Sequence, residues 1–133
     1  MREIKFRAWF TDKKQMKFVA MHNVYPGNTS YFYLSPMPMS DYEPIELMQW
    51  TGLTDKNGTG IYEGDILTDH GEEGPLYVEY SNEHAAFVFV DKFDPFGVTR
   101  YTTLQISYEQ FEIIGNIFED GELLNDCVLS KAD

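Results

Sequence analysis

The sequence predicts a mainly β protein, α+β at most, built from short antiparallel strands as in a small barrel or sandwich. Three observations lead to this prediction. Aromatic residues make up 16% of the chain, and aromatic side chains are enriched in strands. Several short runs alternate between apolar and polar side chains, which is the period of a half-buried strand. Clusters of Gly, Pro, Asn and Asp separate these runs, as turns do.

The first two elements form a predicted antiparallel hairpin. Residues 3–10 carry apolar side chains at every second position, so they read as a half-buried strand. Residues 11–14 are polar and supply the turn. Residues 15–20 alternate again, with Phe18 expected on the apolar side of the returning strand.

The next part of the chain is less regular. Pro and Gly interrupt residues 22–43, so a covering loop is expected there, with one short strand at residues 31–34. Residues 45–53 read as a strand. Pro44 just before them would also suit the start of a short helix, and the sequence leaves both alternatives open.

The stretch at residues 47–67, LMQWTGLTDKNGTGIYEGDIL, organises the chain. Its pair Asn57-Gly58 is favoured in a type I′ hairpin turn, because both central residues of that turn need a positive φ. The two flanking segments are therefore expected to face each other as strands. Gly64-Asp65 predicts a second turn, in which the Asp65 carboxylate accepts a nearby backbone N–H bond.

The second half of the chain reads as strands separated by turns. Strands are predicted at residues 66–68, 76–80, 86–90, 99–106 and 112–118. The third of these is apolar on both faces, so it is expected to be fully buried. Residues 107–110 fit an S-x-x-Q capping box, which predicts one helical turn. The polar end at residues 125–133 is expected to fray.

Charge and cysteine content exclude several classes of function. The net charge is −12, from 22 acidic and 10 basic residues. This charge argues against direct binding to nucleic acid and against attachment to an anionic membrane surface. Cys127 has no second cysteine to pair with inside the chain. Because no run has the length of a transmembrane helix and no signal-peptide pattern is present, a cytoplasmic location is expected.

The sequence predicts neither a catalytic nor a metal site. Residues 55–60 match the D-x-N-x-x-G part of an EF-hand loop, but Ile66 stands at the twelfth position, where calcium needs a Glu. His22, His70 and His84 lie far apart along the chain. Motifs such as G-x-S-x-G, HExxH and the Gly-rich phosphate loop are missing. We therefore expect no enzymatic activity, no metal and no cofactor.

Three segments of the chain resemble the YopX family, whose members are encoded by bacteriophages and prophages. The segments are residues 1–9, the run QWTGLTDKNGTGIYEGDIL at residues 49–67, and residues 112–119 followed by Leu123-Leu124. Phe10, Trp50 and Gly121 depart from the residues that are usual in the family. The resemblance carries no established activity. It implies an N-terminal hairpin region followed by a C-terminal SH3-like barrel.

The resemblance also implies a domain organisation and a setting. A single YopX-like domain would cover residues 1–133. Within it, residues 1–60 would form the N-terminal β region, residues 61–124 the SH3-like barrel, and residues 125–133 a tail. The protein would act in the cytoplasm of a bacterial host cell.

Two functions stay open. The first is a non-enzymatic protein-interaction module, a phage accessory protein whose unknown partner is a host protein or another protein. Its aromatic anchors would come from Trp50, Tyr62, Tyr77, Tyr80 and Phe96. The second is an acidic nucleic-acid mimic that occupies a host DNA-binding protein, with denser acidic groups at residues 63–73 and 119–126. Self-association is a further expectation, because exposed strand edges can pair.

The candidate interaction or family-signature residues all lie in the central stretch. They are Trp50, Asp55, Asn57, Gly58, Tyr62, Gly64 and Asp65. Each of them also has a structural interpretation. Asn57, Gly58 and Gly64 suit turns, and a buried aromatic at Tyr62 would simply belong to the core.

Overall fold

The computed structural model describes residues 3–23, 32–35, 44–71 and 74–125, with the backbone alone at 20–23 and 32–35. The described residues form ten strands: β1 Phe6–Phe10, β2 Gln15–Asn23, β3 Phe32–Ser35, β4 Ile45–Thr54, β5 Gly60–Tyr62, β6 Asp65–Thr68, β7 Leu76–Ser81, β8 Ala86–Asp91, β9 Thr99–Tyr101 and β10 Glu112–Asn116. Two short 3-10 helices cover Tyr108–Gln110 and Gly121–Leu124. The strands pair in antiparallel fashion. The predicted mainly β, antiparallel fold is confirmed.

The chain divides into two compact units, Met1–Trp50 and Thr51–Asp133. The division falls inside β4, and the subdivision at residue 60 that the resemblance implies stays a prediction. The expectation of a single YopX-like domain stays a prediction. Across the part of the chain that is described, no helix has the length and apolar character needed to cross a membrane.

The first unit contains the predicted N-terminal hairpin. Its strands lie in the order β3-β2-β1-β4, with β1 between β2 and β4. A small core forms from Ala8, Phe10 and Val19, against which Phe6 and Ile45 pack. Hydrophobic burial on both partners of β1 therefore holds this sheet together.

Val19, and not Phe18, faces this core. The register places Phe6 opposite Val19 and Arg7 opposite Phe18, and directly opposed residues of an antiparallel pair share a face. The Val19 side chain is 8% exposed, whereas that of Phe18 is 73% exposed. The prediction for Phe18 was wrong because strand register, and not the alternation alone, decides which face becomes the core.

Of the irregular segment at residues 22–43, the structure describes residues 22–23 and 32–35. β3 begins one position later than the strand predicted at residues 31–34. β4 begins at Ile45 and is a strand, so the alternative of a short helix after Pro44 is wrong. The rest of the predicted covering loop, at residues 24–31 and 36–43, lies outside the described residues.

The second unit contains a sheet in the order β10-β6-β7-β8-β9, and the C-terminal end of β4 pairs with β5. Its buried core consists of Ile61, Leu67, Leu76, Val78 and Phe89. Around that core pack Leu53, Phe87, Tyr101, Ile106, Tyr108, Phe111 and Ile113. β8 is buried at four consecutive positions, Val88 to Asp91, and partly buried at Ala86 and Phe87. The predicted burial on both faces is therefore confirmed for the second part of this strand.

Two predicted strands are shorter than expected. β9 ends at Tyr101, because the Gln105 side chain accepts the Thr102 N–H at 2.8 Å and the Gln105 N–H returns to the Thr102 carbonyl at 3.0 Å. These two bonds turn the chain where the strand was predicted to continue. β10 ends at Asn116, and its pairing with β6 is irregular between Ile113 and Gly115.

The helical turn predicted after Ser107 is present, but its capping box is not. The Ser107 side chain makes no capping hydrogen bond. Instead, the Gln110 N–H donates to the Ser107 carbonyl and the Phe111 N–H donates to the Tyr108 carbonyl, both at 3.0 Å. Backbone bonds of the 3-10 type therefore close this turn without side-chain help.

Candidate functional site

The loop between β4 and β5 is built around the carboxylate of Asp55, which is buried. Its Oδ1 accepts the N–H groups of Asn57 and Thr59, both at 2.9 Å. Its Oδ2 accepts the Ile113 N–H at 3.1 Å. The Gly58 N–H donates to the Asp55 backbone carbonyl at 3.0 Å. The Asp55 side chain therefore determines the shape of the loop and connects it to β10 by a hydrogen bond.

The turn in this loop differs from the predicted type I′. Gly58 has a φ of +83°, but Asn57 is not among the residues with positive φ. A turn over residues 55–58 that ends in a left-handed glycine is the type I arrangement with a G1 bulge. The type I′ prediction was wrong because the Asp55 side chain binds the Asn57 N–H, and Asp at the first position favours a type I turn.

The environment of Asp55 keeps its carboxylate ionised. Burial acts to raise the pKa of Asp55, but hydrogen bonds from Ile113, Thr59 and Asn57, together with the charge of Lys56, lower that pKa below its ordinary value. The three N–H bonds use three of about four acceptor positions of a carboxylate. The partial match to a calcium loop therefore has a structural explanation in this turn.

A polar cluster lies beside the loop, around Glu112. Its Oε2 is 2.7 Å from His70 Nε2 and 3.4 Å from Lys56 Nζ. The hydrogen bond from His70, followed by that from Lys56, lowers the pKa of Glu112. All three side chains are at least partly exposed to solvent, so their ion pairs stabilise the fold only slightly. Among the described residues, no group of three or more His, Cys, Asp or Glu is arranged to hold a metal ion.

The Gly64-Asp65 turn contains the hydrogen bond that the sequence predicts. Asp65 Oδ2 accepts the Tyr62 N–H at 2.8 Å, and both residues are buried. Gly64 has a φ of +85°. Its N–H donates to the Val78 carbonyl at 2.9 Å, and its carbonyl accepts the Ile117 N–H at 2.8 Å. This turn thereby joins parts of the second unit that are distant in sequence.

The candidate residues fall into three places. Asp55, Asn57 and Gly58 share the β4–β5 loop, and Tyr62, Gly64 and Asp65 share the following turn. Trp50 lies in the first unit, where it is half-buried and has the Lys5 ammonium 4.8 Å from its ring centroid. An interaction role for any of the seven stays a prediction.

The turn between β8 and β9 presents a fully exposed aromatic ring. Asp94 Oδ1 accepts the Phe96 N–H at 2.9 Å, and Asp94 Oδ2 accepts the Thr99 hydroxyl at 2.8 Å. The Gly97 N–H donates to the Asp94 carbonyl at 3.0 Å. These bonds hold the backbone on both sides of Phe96, whose side chain is 98% exposed.

Two further apolar side chains flank β9. Val98, just before the strand, is 56% exposed, and Leu104, in the turn that follows it, is 96% exposed. We call Phe96, Val98 and Leu104 the β9-flanking set. A strand of three residues is about 10 Å long, so the set borders one short edge strand of the sheet. Sequence reasoning named Phe96 as an anchor but missed Val98 and Leu104, because exposure of an aliphatic side chain leaves no local signal.

The other aromatic anchors that the sequence suggested are less accessible. Tyr62 belongs to the buried residues, whereas Tyr77 and Trp50 are partly buried. Tyr80 is 46% exposed and packs edge-to-face against Phe87, with 5.3 Å between the ring centroids. Phe96 is therefore the most exposed of the five suggested anchors.

Comparisons with known proteins identify the family. The family model described as YopX protein matches residues 5–125. Comparison with curated proteins gave no significant match. Among solved structures, the chain is similar to the crystal structure of protein EF1440 from Enterococcus faecalis, with 27% sequence identity and a TM-score of 0.61. That match covers 93% of this chain and 99% of the other. Since the family model covers most of the sequence, the chain belongs to the YopX family.

Proposed function

We propose that this YopX-family protein is a non-enzymatic interaction module that binds a protein partner through the β9-flanking set. The observation that supports the proposal most directly is Phe96, a fully exposed ring on a turn that Asp94 holds in place. Aromatic anchors contribute much of the binding energy in protein interfaces. An anchor on a pre-organised turn also loses less conformational entropy when it is bound.

Phe96 and Leu104 gain little hydrophobic stabilisation in the free protein. A Phe side chain contributes about 1.5–3 kcal/mol when it is transferred from water to an apolar environment. Phe96 and Leu104 gain almost none of this within the fold, because each is at least 96% exposed. Single exposed apolar side chains are common on protein surfaces. Here, however, three exposed apolar side chains lie around one edge strand, and one of them is on a turn held by hydrogen bonds to Asp94. This arrangement favours a surface that a partner covers.

The proposal also covers the origin of the protein and the compartment in which it acts. We infer a phage or prophage origin and action in the bacterial cytoplasm, supported by the resemblance to phage-encoded and prophage-encoded proteins. An SH3-like barrel in the second unit is part of the proposal as well, supported by the sheet order β10-β6-β7-β8-β9.

A retention experiment tests the proposal. Wild-type protein, Phe96→Ala and Phe18→Ala are immobilised and exposed to bacterial lysate at low and at high salt, and retained proteins are identified by mass spectrometry. Phe18 is a matched control, because it is also an exposed Phe but lies in the first unit. We expect one protein to be retained by the wild type and by Phe18→Ala, and to be lost from Phe96→Ala.

Thermal unfolding of the same three proteins completes the test. Both exposed Phe residues are expected to change the free energy of unfolding by no more than about 0.5 kcal/mol when replaced. Lost retention in Phe96→Ala would then report on binding and not on folding. Equal retention by all three proteins would contradict the proposed surface.

The acidic mimic stays a prediction, and salt dependence distinguishes it. A basic DNA-binding protein that all three proteins retain at low salt and release at high salt would support the mimic instead. Some of its acidic groups already have structural contacts. Asp65 is buried against the Tyr62 N–H, and Asp120 Oδ2 accepts the Asn116 N–H at 3.1 Å.

A further inference from the structure

We propose that Asn57 is a site of spontaneous deamidation and that Asp55 controls the rate of this modification. This modification does not depend on the proposed binding function. Asn57 precedes Gly58, and glycine has no side chain to hinder attack by its backbone nitrogen on the preceding Asn side chain. Both residues are exposed. Apart from Gly58 and its two chain neighbours, no heavy atom lies within 4 Å of the position that a Cβ would take at Gly58, so no other part of the chain covers this peptide on that side.

The chemistry requires only water. The Gly58 backbone nitrogen attacks the Asn57 side-chain carbonyl carbon and forms a C–N bond. The bond to the side-chain amide nitrogen breaks, and that nitrogen leaves as ammonia with the proton that Gly58 loses. Water then opens the succinimide ring at one of its two carbonyls. The products are an aspartyl residue or an isoaspartyl residue, whose main chain is one carbon atom longer.

The folded loop opposes the first step. The Gly58 N–H donates to the Asp55 carbonyl at 3.0 Å, so the proton that must leave is held in a hydrogen bond. The Asn57 N–H donates to Asp55 Oδ1 at 2.9 Å, which restrains the backbone that must rotate to bring the two reacting atoms together. Attack therefore requires local opening of the loop, and the contacts of Asp55 set how often opening occurs.

The modification would also change the contact between this loop and β10. Either product places a new carboxylate next to Asp55, whose own negative charge is held by the surrounding N–H groups. The isoaspartyl product also lengthens the main chain inside a loop that fits around one carboxylate. We expect the bond between Asp55 Oδ2 and the Ile113 N–H to weaken as a result.

The rate of modification in the full chain is the first test. Native wild-type protein and the same protein in denaturing urea are incubated at mildly alkaline pH. Peptide mass spectrometry follows conversion of the Asn57 amide to a carboxylate. We expect conversion to be roughly tenfold or more slower in the native protein, because the loop is closed most of the time. Asn57→Gln, which lacks the reactive geometry, is the negative control.

A matched pair of variants tests the role of Asp55. Asp55→Ala removes the carboxylate from this loop, whereas Asp94→Ala removes the equivalent carboxylate from the β8–β9 turn. We expect Asn57 to react several-fold faster in Asp55→Ala and at the wild-type rate in Asp94→Ala. Equal rates in native and unfolded wild type, or no acceleration in a folded Asp55→Ala, would overturn the proposal.

Hydrogen exchange decides the outcome if Asp55→Ala does not fold. The exchange rate of the Gly58 amide and the deamidation rate of Asn57 are then measured in the wild type across urea concentrations below unfolding. Both rates are expected to rise by the same factor, because both require the same opening. Exchange that accelerates while deamidation stays constant would contradict the proposal.

Discussion

At the scale of single residues, Gly115 shows how a fixed side chain constrains its neighbour. A Cβ at Gly115 would lie 2.8 Å from the Asp120 Cβ, which is closer than two carbon atoms pack. Asp120 cannot swing away freely, because its Oδ2 accepts the Asn116 N–H and its own N–H donates to the Asn116 carbonyl at 2.8 Å. The absence of a side chain at residue 115 is therefore a packing requirement.

We expect Gly115→Ala to lower the free energy of unfolding by about 1–3 kcal/mol, the usual cost of overpacking. Urea denaturation measures the change. Gly121→Ala is the control, because a Cβ at Gly121 meets nothing within 4 Å and its φ is not in the left-handed region. A loss of the same size in Gly121→Ala would mean that the clash with Asp120 is not the cause.

Aspartate side chains determine the loop conformations of the second unit. Asp55, Asp65 and Asp94 each accept at least one backbone N–H within the same loop or turn. The sequence predicts this for Asp65, because a Gly-Asp pair before an apolar run is typical of such a turn. For Asp55 it predicts a turn of the wrong type, since the Asn-Gly preference says nothing about a competing carboxylate two residues earlier.

At the scale of elements, the register of the β1–β2 hairpin determines which side chains form the first core. Val19 lies opposite Phe6 and joins Ala8 and Phe10, whereas Phe18 lies opposite Arg7. A register shift of one residue would exchange these roles. The relative stability of variants at the two positions therefore reports the register in solution.

We expect Val19→Ala to cost about 1–3 kcal/mol, because it removes buried apolar contacts. Phe18→Ala is expected to change stability by no more than about 0.5 kcal/mol, although it removes the larger side chain. Urea denaturation of the two variants provides the comparison. A larger loss for Phe18→Ala would indicate that the strand pairs one residue out of the register described here.

The sequence predicts which strands and turns are present better than it predicts where each of them ends. The strand at β9 is read correctly from its Thr-rich and Tyr-rich sequence, but its end depends on the Gln105 side chain. Any polar side chain near a strand end can compete with the ladder in this way. The helical turn after Ser107, by contrast, forms through local backbone bonds and not through the predicted side-chain cap.

At the scale of the whole molecule, the excess of acidic residues predicts a net repulsion between negative charges. The chain has 22 acidic and 10 basic residues. The ion pairs Glu112–His70, Glu112–Lys56 and Arg100–Glu79 are partly exposed, so each contributes little. A net charge of this size destabilises a compact state, and salt screens it.

We therefore expect the melting temperature to rise as sodium chloride is added at neutral pH. Thermal unfolding followed by circular dichroism at low and at high salt measures this effect. Osmotically matched sucrose is the control for effects that do not depend on charge. A melting temperature that falls with added salt would show that the specific ion pairs outweigh the overall repulsion.

The sequence by itself determined the mainly β fold class, the positions of most turns and the resemblance to the YopX family. These follow from local patterns, namely alternation, turn residues and motif order, which do not depend on distant parts of the chain. Only the tertiary structure decided that Phe96 is exposed while Tyr62 is buried, and that Asp55 binds the N–H of Ile113, 58 positions away. Exposure and long-range hydrogen bonds depend on which strands the fold brings together, and no local spacing encodes that.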